Sequence, residues 1–301
     1  MKELLGIKQL SAENINEILD LAFEMKQKVI IGKEKCRDLE GKTVTTLFYE
    51  NSTRTKTSFE MAATLTGATV NSLDVGTSSV QKGETLIDTG KTLDALCTDV
   101  IVIRHQASGA PLFLSKNVDA AVVNAGDGMH EHPTQALLDA MTMKERFGDL
   151  KGLRVAILGD VKHSRVARSN LWLLKKMGAD VVMCAPKTLL PEELSEHCTL
   201  TTNPLVAVSG ADVVMGLRIQ LERQQQGLFP SLREYNKFWG INDDLVSHAA
   251  SHAIVMHPGP VNRGVEINGV TCDGEKSVIN TQVTNGLAVR MAVLSLIAKE
   301  R

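Results

Sequence analysis

Residues 43–67, TVTTLFYENSTRTKTSFEMAATLTG, join an apolar, strand-like run to a helix-like run. Between these runs, residues 52–58 carry five hydroxyl groups and two cationic side chains. The first turn of a helix leaves backbone N–H groups unpaired and carries a partial positive charge, so an anion placed there receives hydrogen bonds. The turn therefore predicts a site for a small dianion such as phosphate. An ordinary capped helix with polar surface residues is the alternative interpretation.

Strand-like and helix-like segments alternate on both sides of this stretch. The predicted strands are Thr43–Phe48, Thr69–Leu73, Val100–Ile103, Ala120–Val123, 153–160, 180–186, 211–218 and 252–259. The predicted helices are Thr55–Thr66, Thr85–Cys97, Pro133–Phe147, Ser164–Met177 and Thr284–Ala298, preceded by a helix that Ser11 caps and whose apolar stripe is Ile15, Ile18, Leu19, Ala22 and Phe23. This alternation predicts an α/β fold of two doubly wound parallel-sheet domains linked by helices. We expect one domain from residues 1–135 with 285–301, and the other from residues 136–284.

Composition narrows the class of protein. Of the 301 residues, 43% are apolar and 23% are charged, and 33 Lys and Arg nearly balance 35 Asp and Glu, which argues against a nucleic-acid binder. Five widely spaced cysteines without a CxxC pair argue against a disulfide framework or a zinc ribbon and favour reduced thiols in a cytoplasm. The first residues lack the apolar core of a signal peptide, and no apolar run approaches the length of a membrane span. We therefore expect a cytoplasmic protein with no membrane segment.

Polar residues follow the predicted strands at five places where a parallel sheet would bind a ligand. These places are 49–58, 104–106, 127–135, 159–165, and 216–220 with 257–263. Neither the GxxxxGK[ST] loop nor a GxGxxG turn occurs, so a nucleotide or dinucleotide site is not expected.

Several of these polar residues have two interpretations. Lys82, in the small-residue loop TSSVQKGET (77–85), either reaches a phosphate or is a solvated surface lysine. Arg104, at the end of a buried strand, either faces the ligand crevice or forms a salt bridge at the sheet rim. The triplet His130-Glu131-His132 lacks the spacing of a metal-binding helix, so we expect no metal and instead a neutral His132 that hydrogen-bonds a substrate oxygen.

The second half of the chain carries further candidates. Arg165 and Arg168 begin a helix, where a bound anion would relieve their opposition to the helix dipole, although Arg168 also suits a solvent-exposed role. Arg218 and Gln220 follow another strand, and the loop HPGPVNRG (257–264) is stiffened by two prolines. His248, His252 and His257 resemble a metal cluster by composition, but surface or structural roles are expected for all three.

Taken together, the segments resemble a known family. STRTKTSFE, KGET, RH, HPTQALLD, GDVKHSR, LRIQ and HPGPVNRGVEI occur in the order found in aspartate carbamoyltransferase catalytic chains, and the resemblance extends from about residue 40 to 295. The RIQ and HPGPVNRG segments favour the aspartate branch over the ornithine branch, which would carry a cysteine at the position of Pro258 and an SMG motif. Asn51 stands where proline is usual, and Lys56 where arginine is common.

The resemblance implies transfer of a carbamoyl group from carbamoyl phosphate to the amine of L-aspartate, aided by domain closure and without a cofactor or metal. The residues it implies for carbamoyl phosphate are Ser52, Thr53, Arg54, Thr55, Ser78, Lys82, Arg104, His132, Gln135, Gly259 and Pro260. Those it implies for aspartate are Lys82, Arg165, Arg218 and Gln220, and the catalytic set is Arg54, Thr55, Lys82, Arg104 and His132. Ser78 and Lys82 would come from a neighbouring subunit of a homotrimer, which regulatory chains or a dihydroorotase would join as candidate partners. The alternatives are a transcarbamoylase for another amino acid, such as ornithine, and a non-catalytic anion-binding homologue.

Overall fold

The strand before the hydroxyl-rich turn, β1 (Thr43–Phe48), is an interior strand of a parallel sheet. The computed structural model describes residues 1–74, 83–220 and 231–300. The chain divides into unit 1, Met1–Met141 with Thr284–Arg301, and unit 2, Thr142–Val283. Among the described residues each unit has one sheet whose strands all run parallel, so the predicted α/β class with two doubly wound sheets is confirmed.

The sheet of unit 1 has four strands in the order β2-β1-β3-β4. Its other strands are β2 (Thr69–Asp74), β3 (Val100–His105) and β4 (Ala121–Asp127). The helices are α1 (Ala12–Met25), α2 (Thr53–Leu65), α3 (Leu86–Ala95), α4 (Ala110–Ser115) and the first part of α5 (Pro133–Phe147). β1 and β3 are buried along most of their length, as expected for parallel strands that are covered on both faces.

The N-terminal segment closes one edge of this sheet and leads into α1. The backbone of Leu4 donates to the carbonyl of Val122 at 3.1 Å and accepts from Asn124 at 2.8 Å, which covers the outer edge of β4. Ser11 caps α1 as predicted, because its Oγ accepts the N–H of Asn14 while the Asn14 side chain accepts the N–H of Ser11. The predicted apolar stripe is buried except for Phe23, which is half-buried while Met25 is buried.

Unit 2 contains a five-stranded sheet in the order β7-β6-β5-β8-β9. Its strands are β5 (Arg154–Leu158), β6 (Asp180–Cys184), β7 (Thr199–Thr201), β8 (Val213–Gly216) and β9 (Ile254–Met256). Its helices are α6 (Arg165–Lys176), α7 (Pro204–Val208), α8 (Leu232–Trp239), α9 (Asp243–Ser247) and α10 (Gly269–Asp273). The short elements β7 and α7–α10 were not predicted, since segments of three to eight residues hold too few positions for a periodic pattern.

The final helix, α11 (Ile279–Ala298), begins earlier than the predicted Thr284. By length and hydropathy it would suffice to cross a membrane, contrary to the expectation from the sequence, but 72% of its most apolar window is buried inside the protein. That burial is typical of a core helix. The boundaries between the two units fall within α5 and α11.

The strand orders locate one topological switch point in each sheet. In unit 1 the chain passes from β1 to β2 on one side and then to β3 on the other. In unit 2 it passes from β5 outward to β6 and β7, and then to β8 on the opposite side of β5. Ligands of doubly wound sheets bind beyond the carboxyl ends of the strands at such points. The residues after β1 and β3, and those after β5 and β8, are therefore the first places to look for a site.

Candidate active site

The turn between β1 and α2 differs from most other helix starts among the described residues. Ser52 is the N-cap of α2, yet its side chain makes no capping hydrogen bond. At six other helices the N-cap side chain accepts a backbone N–H from the first turn. These N-caps are Ser11, Thr85, Ser164, Asn203, Ser231 and Asn242. The start of α2 therefore keeps a hydroxyl and first-turn N–H groups that are not joined to each other, which is the arrangement an anion requires.

A cleft of about 810 Å³ opens beside this turn. Six of its eight lining residues come from the turn and from the α2 face that follows it, and four of the eight carry hydroxyl groups. The lining residues are Asn51, Ser52, Thr53, Lys56, Thr57, Glu60, Val70 and Ser72. Asn51 and Lys56, the two departures from the family pattern, thus both line this cleft.

Arg104 lies at the end of β3, beside the end of β1. Phe48 and Arg104 are paired in the sheet register, and the N–H of Tyr49 donates to the Arg104 carbonyl at 2.9 Å. The Arg104 Nε atom lies 3.2 Å from Glu50 Oε2, and the two side chains are 16% and 19% exposed. The salt bridge considered as an alternative is therefore present, and it holds the guanidinium at the carboxyl end of the sheet.

His105 packs against Tyr49 at the same edge, with ring centroids 4.7 Å apart. Its Nδ1 accepts the N–H of Ala107 at 2.9 Å. Burial lowers the pKa of His105 despite the opposing charge of Glu50, and burial raises the pKa of Tyr49. Both rings are consequently neutral at pH 7, and the cationic character of this edge comes from its arginines.

The loop after β4 is built around a buried carboxylate, Asp127. Its oxygens accept the N–H of Gly109 at 2.7 Å, the side-chain amide of Asn124 at 2.9 Å and the N–H of Glu131 at 3.1 Å, and His130 Nδ1 lies 3.0 Å away. Burial by itself would raise the pKa of Asp127, but these hydrogen bonds and the His130 charge together lower it. His130 thus pairs with a carboxylate, and across the ranges that the structure describes no group of three or more His, Cys, Asp or Glu side chains is arranged for a metal.

His132 and Gln135 follow this loop and enter α5. Both side chains are buried, at 4% and 7% exposure. The Gln135 amide donates to Asp139 Oδ1 at 2.9 Å, and Asp139 is fully buried. Asp139 therefore orients the side-chain amide of Gln135. The sequence did not lead us to predict this role, although residues four apart on a helix lie next to each other.

Arg290 of α11 contacts α2, and this contact was also not predicted. Its Nη1 donates to Ser58 Oγ at 3.0 Å, and its guanidinium lies 5.1 Å from the centre of the Phe59 ring. Burial lowers the pKa of Arg290 to about 10, with Asp139 opposing that shift. The available signal was a single charged residue within α11, since a buried charge is retained only if it has partners.

In unit 2, the turn after β5 meets the segment after β8. Gly159 has a φ of 138°, and a Cβ at this position would collide with the carbonyl oxygen of Leu217. Asp160 accepts from the His163 ring at 2.8 Å, and the Gln220 amide donates to the His163 carbonyl at 3.3 Å. Glycine is thus required where the two segments approach.

The two arginines of α6 have different environments. Arg165 is buried in the first turn, which Ser164 caps by accepting the N–H of Ala167 at 3.1 Å. Arg168 donates to the Lys162 carbonyl at 3.0 Å, and burial lowers its pKa although a nearby glutamate opposes this. Arg168 therefore stabilises the preceding loop and is not simply exposed to solvent, while Arg165 remains the better ligand candidate.

The three histidines weighed as a metal cluster have separate contacts. His248 lies at the end of α9 and bonds its own helix, and the exposed His252 lies 2.7 Å from Asp212. His252 follows that helix and is not within a helical stretch, contrary to the sequence interpretation. His257 is buried and has a structural role beside Glu266. The strand predicted for 252–259 ends at Met256, because prolines interrupt the loop that follows.

The predicted site residues form two groups, one in each unit. In unit 1 the group at the carboxyl ends of β1, β3 and β4 consists of Ser52, Thr53, Arg54, Thr55, Arg104, His132 and Gln135. In unit 2 the group at the ends of β5, β8 and β9 consists of Arg165, Arg218, Gln220, Gly259 and Pro260. Ser78 and Lys82 lie outside the described residues.

Comparison with known proteins covers the whole chain. Residues 2–145 match the aspartate/ornithine carbamoyltransferase carbamoyl-P binding domain, and residues 151–297 match the Asp/Orn binding domain of the same family. The aspartate carbamoyltransferase catalytic subunit of Ruminiclostridium cellulolyticum is 56% identical over 99% of this chain and 96% of its own length. That of Caldanaerobacter subterraneus is 55% identical over 100% of this chain and 99% of its own length.

Solved structures agree on the fold. Aspartate transcarbamoylase from Trypanosoma cruzi, in complex with carbamoyl aspartate and phosphate, has a TM-score of 0.88 and 31% identity, with 98% of this chain and 95% of that chain covered. Ornithine carbamoyltransferase from Pyrococcus furiosus has a TM-score of 0.90 and 31% identity, with 100% and 98% covered. The fold is therefore shared by both branches, whereas the higher identities belong to aspartate carbamoyltransferases. This chain belongs to the aspartate/ornithine carbamoyltransferase family.

Proposed function

We propose that this chain transfers the carbamoyl group of carbamoyl phosphate to the amine of L-aspartate, giving N-carbamoyl-L-aspartate and phosphate. The observation that carries this proposal is the α2 N-terminus, with Ser52 unused as a cap, at the switch point of a chain 52–56% identical to catalytic subunits of that enzyme. The reaction belongs to pyrimidine biosynthesis.

Carbamoyl phosphate is proposed to bind at the start of α2. Ser52, Thr53 and Thr55 supply hydroxyl donors, and the first-turn N–H groups and the helix dipole favour the phosphate charge. Arg54 supplies a planar pair of donors that matches two phosphate oxygens. Each of these groups stabilises an anion without requiring a metal ion.

The carbamoyl group is proposed to lie toward the ends of β3 and β4. Thr55, Arg104 and His132 would donate to its carbonyl oxygen, and Gln135 would contact its amide. As the amine attacks, charge develops on that oxygen, and a fixed donor aimed at it is worth about 3 kcal/mol of transition-state stabilisation. The Glu50 contact of Arg104 and the Asp139 contact of Gln135 hold two of these side chains in place.

Aspartate is proposed to bind unit 2 through Arg165, Arg218 and Gln220, and the backbone of Gly259 and Pro260 would contact the carbamoyl nitrogen. Two carboxylates require at least two cations. The departing phosphate, itself a base, is proposed to take the proton released by the attacking amine. This route requires no side-chain general base.

The first experiment tests the phosphate assignment. Arg54→Ala is expected to lower turnover by several orders of magnitude while the protein stays folded, because an anion-binding fork is lost. Arg37→Ala is the matched control, since Arg37 is an exposed arginine that pairs with the neighbouring Glu40, and its activity should equal that of the wild type. Near-normal turnover of Arg54→Ala would refute the assignment.

A panel of amine substrates separates the branches of the family. Purified protein is assayed for carbamoylation of aspartate, ornithine and acylated ornithine, and aspartate is expected to be the preferred acceptor. Preference for ornithine would favour the other branch. Carbamoyl phosphate binding without turnover on any amine would favour a non-catalytic homologue.

We further propose a cytoplasmic homotrimer with shared sites, in which Ser78 and Lys82 reach the neighbouring subunit's substrates. All five cysteines are free, which suits a reducing compartment. Arg54→Ala and Lys82→Ala chains, each inactive alone, are expected to recover part of the activity when their subunits are mixed. Verified subunit exchange without recovery would contradict sharing. Regulatory chains and a dihydroorotase remain candidate partners that co-purification would test.

A further inference from the structure

A buried carboxylate in unit 2 has no part in the chemistry described above. Glu266 and His257 are each 1% exposed, and Glu266 Oε1 lies 3.2 Å from His257 Nε2. Among the residues that the structure describes, Glu266 Oε2 makes no hydrogen bond. Burying a carboxylate that is not fully hydrogen-bonded is unfavourable, so its contacts should account for its presence.

These contacts fix the loop that contains Gly259 and Pro260. Glu266 Oε1 accepts the N–H of Asn262 at 2.6 Å. His257 Nδ1 accepts the N–H of Gly259 at 2.9 Å, so the proton of the neutral ring is on Nε2, the atom that faces Glu266. The carboxylate and the imidazole therefore hold both ends of the 259–262 turn.

The same loop reaches the segment after β8. The Asn262 side-chain amide donates to the carbonyl of Ile219 at 3.3 Å, and Ile219 is fully buried between Arg218 and Gln220. A backbone carbonyl fixed at this position restrains the direction of the side chains on either side of it. Glu266 is thus connected, through Asn262, to the two residues proposed to bind an aspartate carboxylate.

A glycine at the end of β8 completes the connection. A Cβ on Gly216 would lie 3.1 Å from His257 Cδ2 and 3.1 Å from Ile241 Cδ1. The imidazole therefore packs directly on the backbone that leads into Leu217 and Arg218. The His257 ring therefore contacts both the 259–262 turn and the backbone at the end of β8.

We infer that Asn262 and Glu266 are positioning residues for aspartate. Asn262 fixes the backbone between Arg218 and Gln220, and Glu266 fixes Asn262. This inference deepens the proposed function and rests on it. It predicts a larger effect on aspartate than on carbamoyl phosphate, because carbamoyl phosphate is proposed to contact this loop only through the Gly259–Pro260 backbone, while its phosphate contacts lie in unit 1.

Asn262→Ala and Asn262→Asp provide the direct test. Each variant is expected to raise the KM for aspartate about tenfold, in keeping with the loss of one hydrogen bond, and Asn262→Asp more so because it turns an oxygen toward the Ile219 carbonyl. The Kd for carbamoyl phosphate, measured by calorimetry, should change less than the KM for aspartate, because the contacts proposed for its phosphate lie in unit 1. Glu266→Ala should raise the aspartate KM similarly, while Glu266→Gln, which retains an acceptor for the Asn262 N–H, should restore it.

Thr271→Val is the matched control. Thr271 Oγ1 donates to Asp243 Oδ1 at 2.7 Å in the same unit, so its loss removes one tertiary hydrogen bond without touching either loop. This variant is expected to lose thermal stability like Asn262→Ala but to keep the wild-type KM. An unchanged aspartate KM in both Asn262 variants of an active enzyme would overturn the inference. If Glu266→Ala does not fold, the aspartate KM of the two Asn262 variants still tests the inference. A wild-type protein without aspartate-dependent activity would instead overturn the proposed function.

Discussion

Replacing Asp127 with alanine should destabilise unit 1 more than any surface carboxylate substitution. The carboxylate accepts three N–H donors, from Gly109, Asn124 and Glu131, at 2.7, 2.9 and 3.1 Å. A buried donor left without an acceptor costs about 1–3 kcal/mol. Water that enters the vacated space recovers part of this, so we expect a loss of about 3–5 kcal/mol. For a domain of this size the melting temperature should fall by about 6–15 °C.

Two measurements test this expectation. The urea midpoint reports the free energy of unfolding, and amide hydrogen exchange reports whether the N–H groups of Gly109 and Glu131 lose protection. Asp149→Ala is the control, because Asp149 also accepts two backbone N–H groups but is exposed. Its midpoint should barely move. A loss below about 1 kcal/mol for Asp127→Ala, with both amides still protected, would refute the reasoning.

The same carboxylate gives the effect a pH dependence. Since the folded pKa of Asp127 is lower than its ordinary value, the unfolded chain takes up the proton first as the pH falls. Its stabilisation is therefore fully present above the ordinary carboxyl range and is lost as the pH drops through the folded pKa. The difference between wild type and Asp127→Ala should shrink at acid pH, and a difference that widens below pH 4 would contradict this sign.

Three further predictions follow from close contacts and burial. Gly159→Ala should reduce aspartate turnover and soluble yield, since its positive φ and the carbonyl beside it leave no room for a methyl group, and assay of the purified variant checks this. Gly216→Ala should raise the aspartate KM by displacing the His257 ring, and a crystal structure of the variant should locate that shift. Because burial raises the pKa of Cys184 to about 12, a thiol reagent at pH 8 should label the exposed Cys97 quickly and Cys184 only after unfolding, as peptide mass spectrometry would detect.

The sequence predicted the long, strongly patterned elements and failed on short ones. β1 and α5 have the predicted boundaries. The strand-like run that precedes the hydroxyl-rich turn defines β1, and a proline in the first turn marks the start of α5. β7 has three residues, and no local pattern distinguishes so short a strand from a loop. β7 is a strand because it pairs with β6, and such pairing depends on residues that are distant in the sequence.

The site was predictable only for side chains that follow strands. Ser52 and Arg104 were found because the carboxyl ends of parallel strands meet at one edge. Asp139, Glu266 and Arg290 were missed, since a charged residue within a helix or loop is usually solvated and only the folded structure reveals its burial. Resemblance to the family, and not spacing, supplied the roles of the predicted ligands, and those roles are what the substitutions above test.

Buried carboxylates near the strand ends also show how a site for two anionic substrates tolerates acidic residues nearby. Asp127 is the last residue of β4, Asp160 follows β5, and Glu266 lies in the loop after β9. Each accepts at least one backbone N–H of the adjoining loop. Glu131 does the same for the N–H groups of residues 7 and 8. A carboxylate whose oxygens point at buried N–H groups has its charge compensated locally and braces the loop from behind. These carboxylates therefore stabilise the loops at the strand ends, and those loops carry several of the predicted cations and hydroxyl groups.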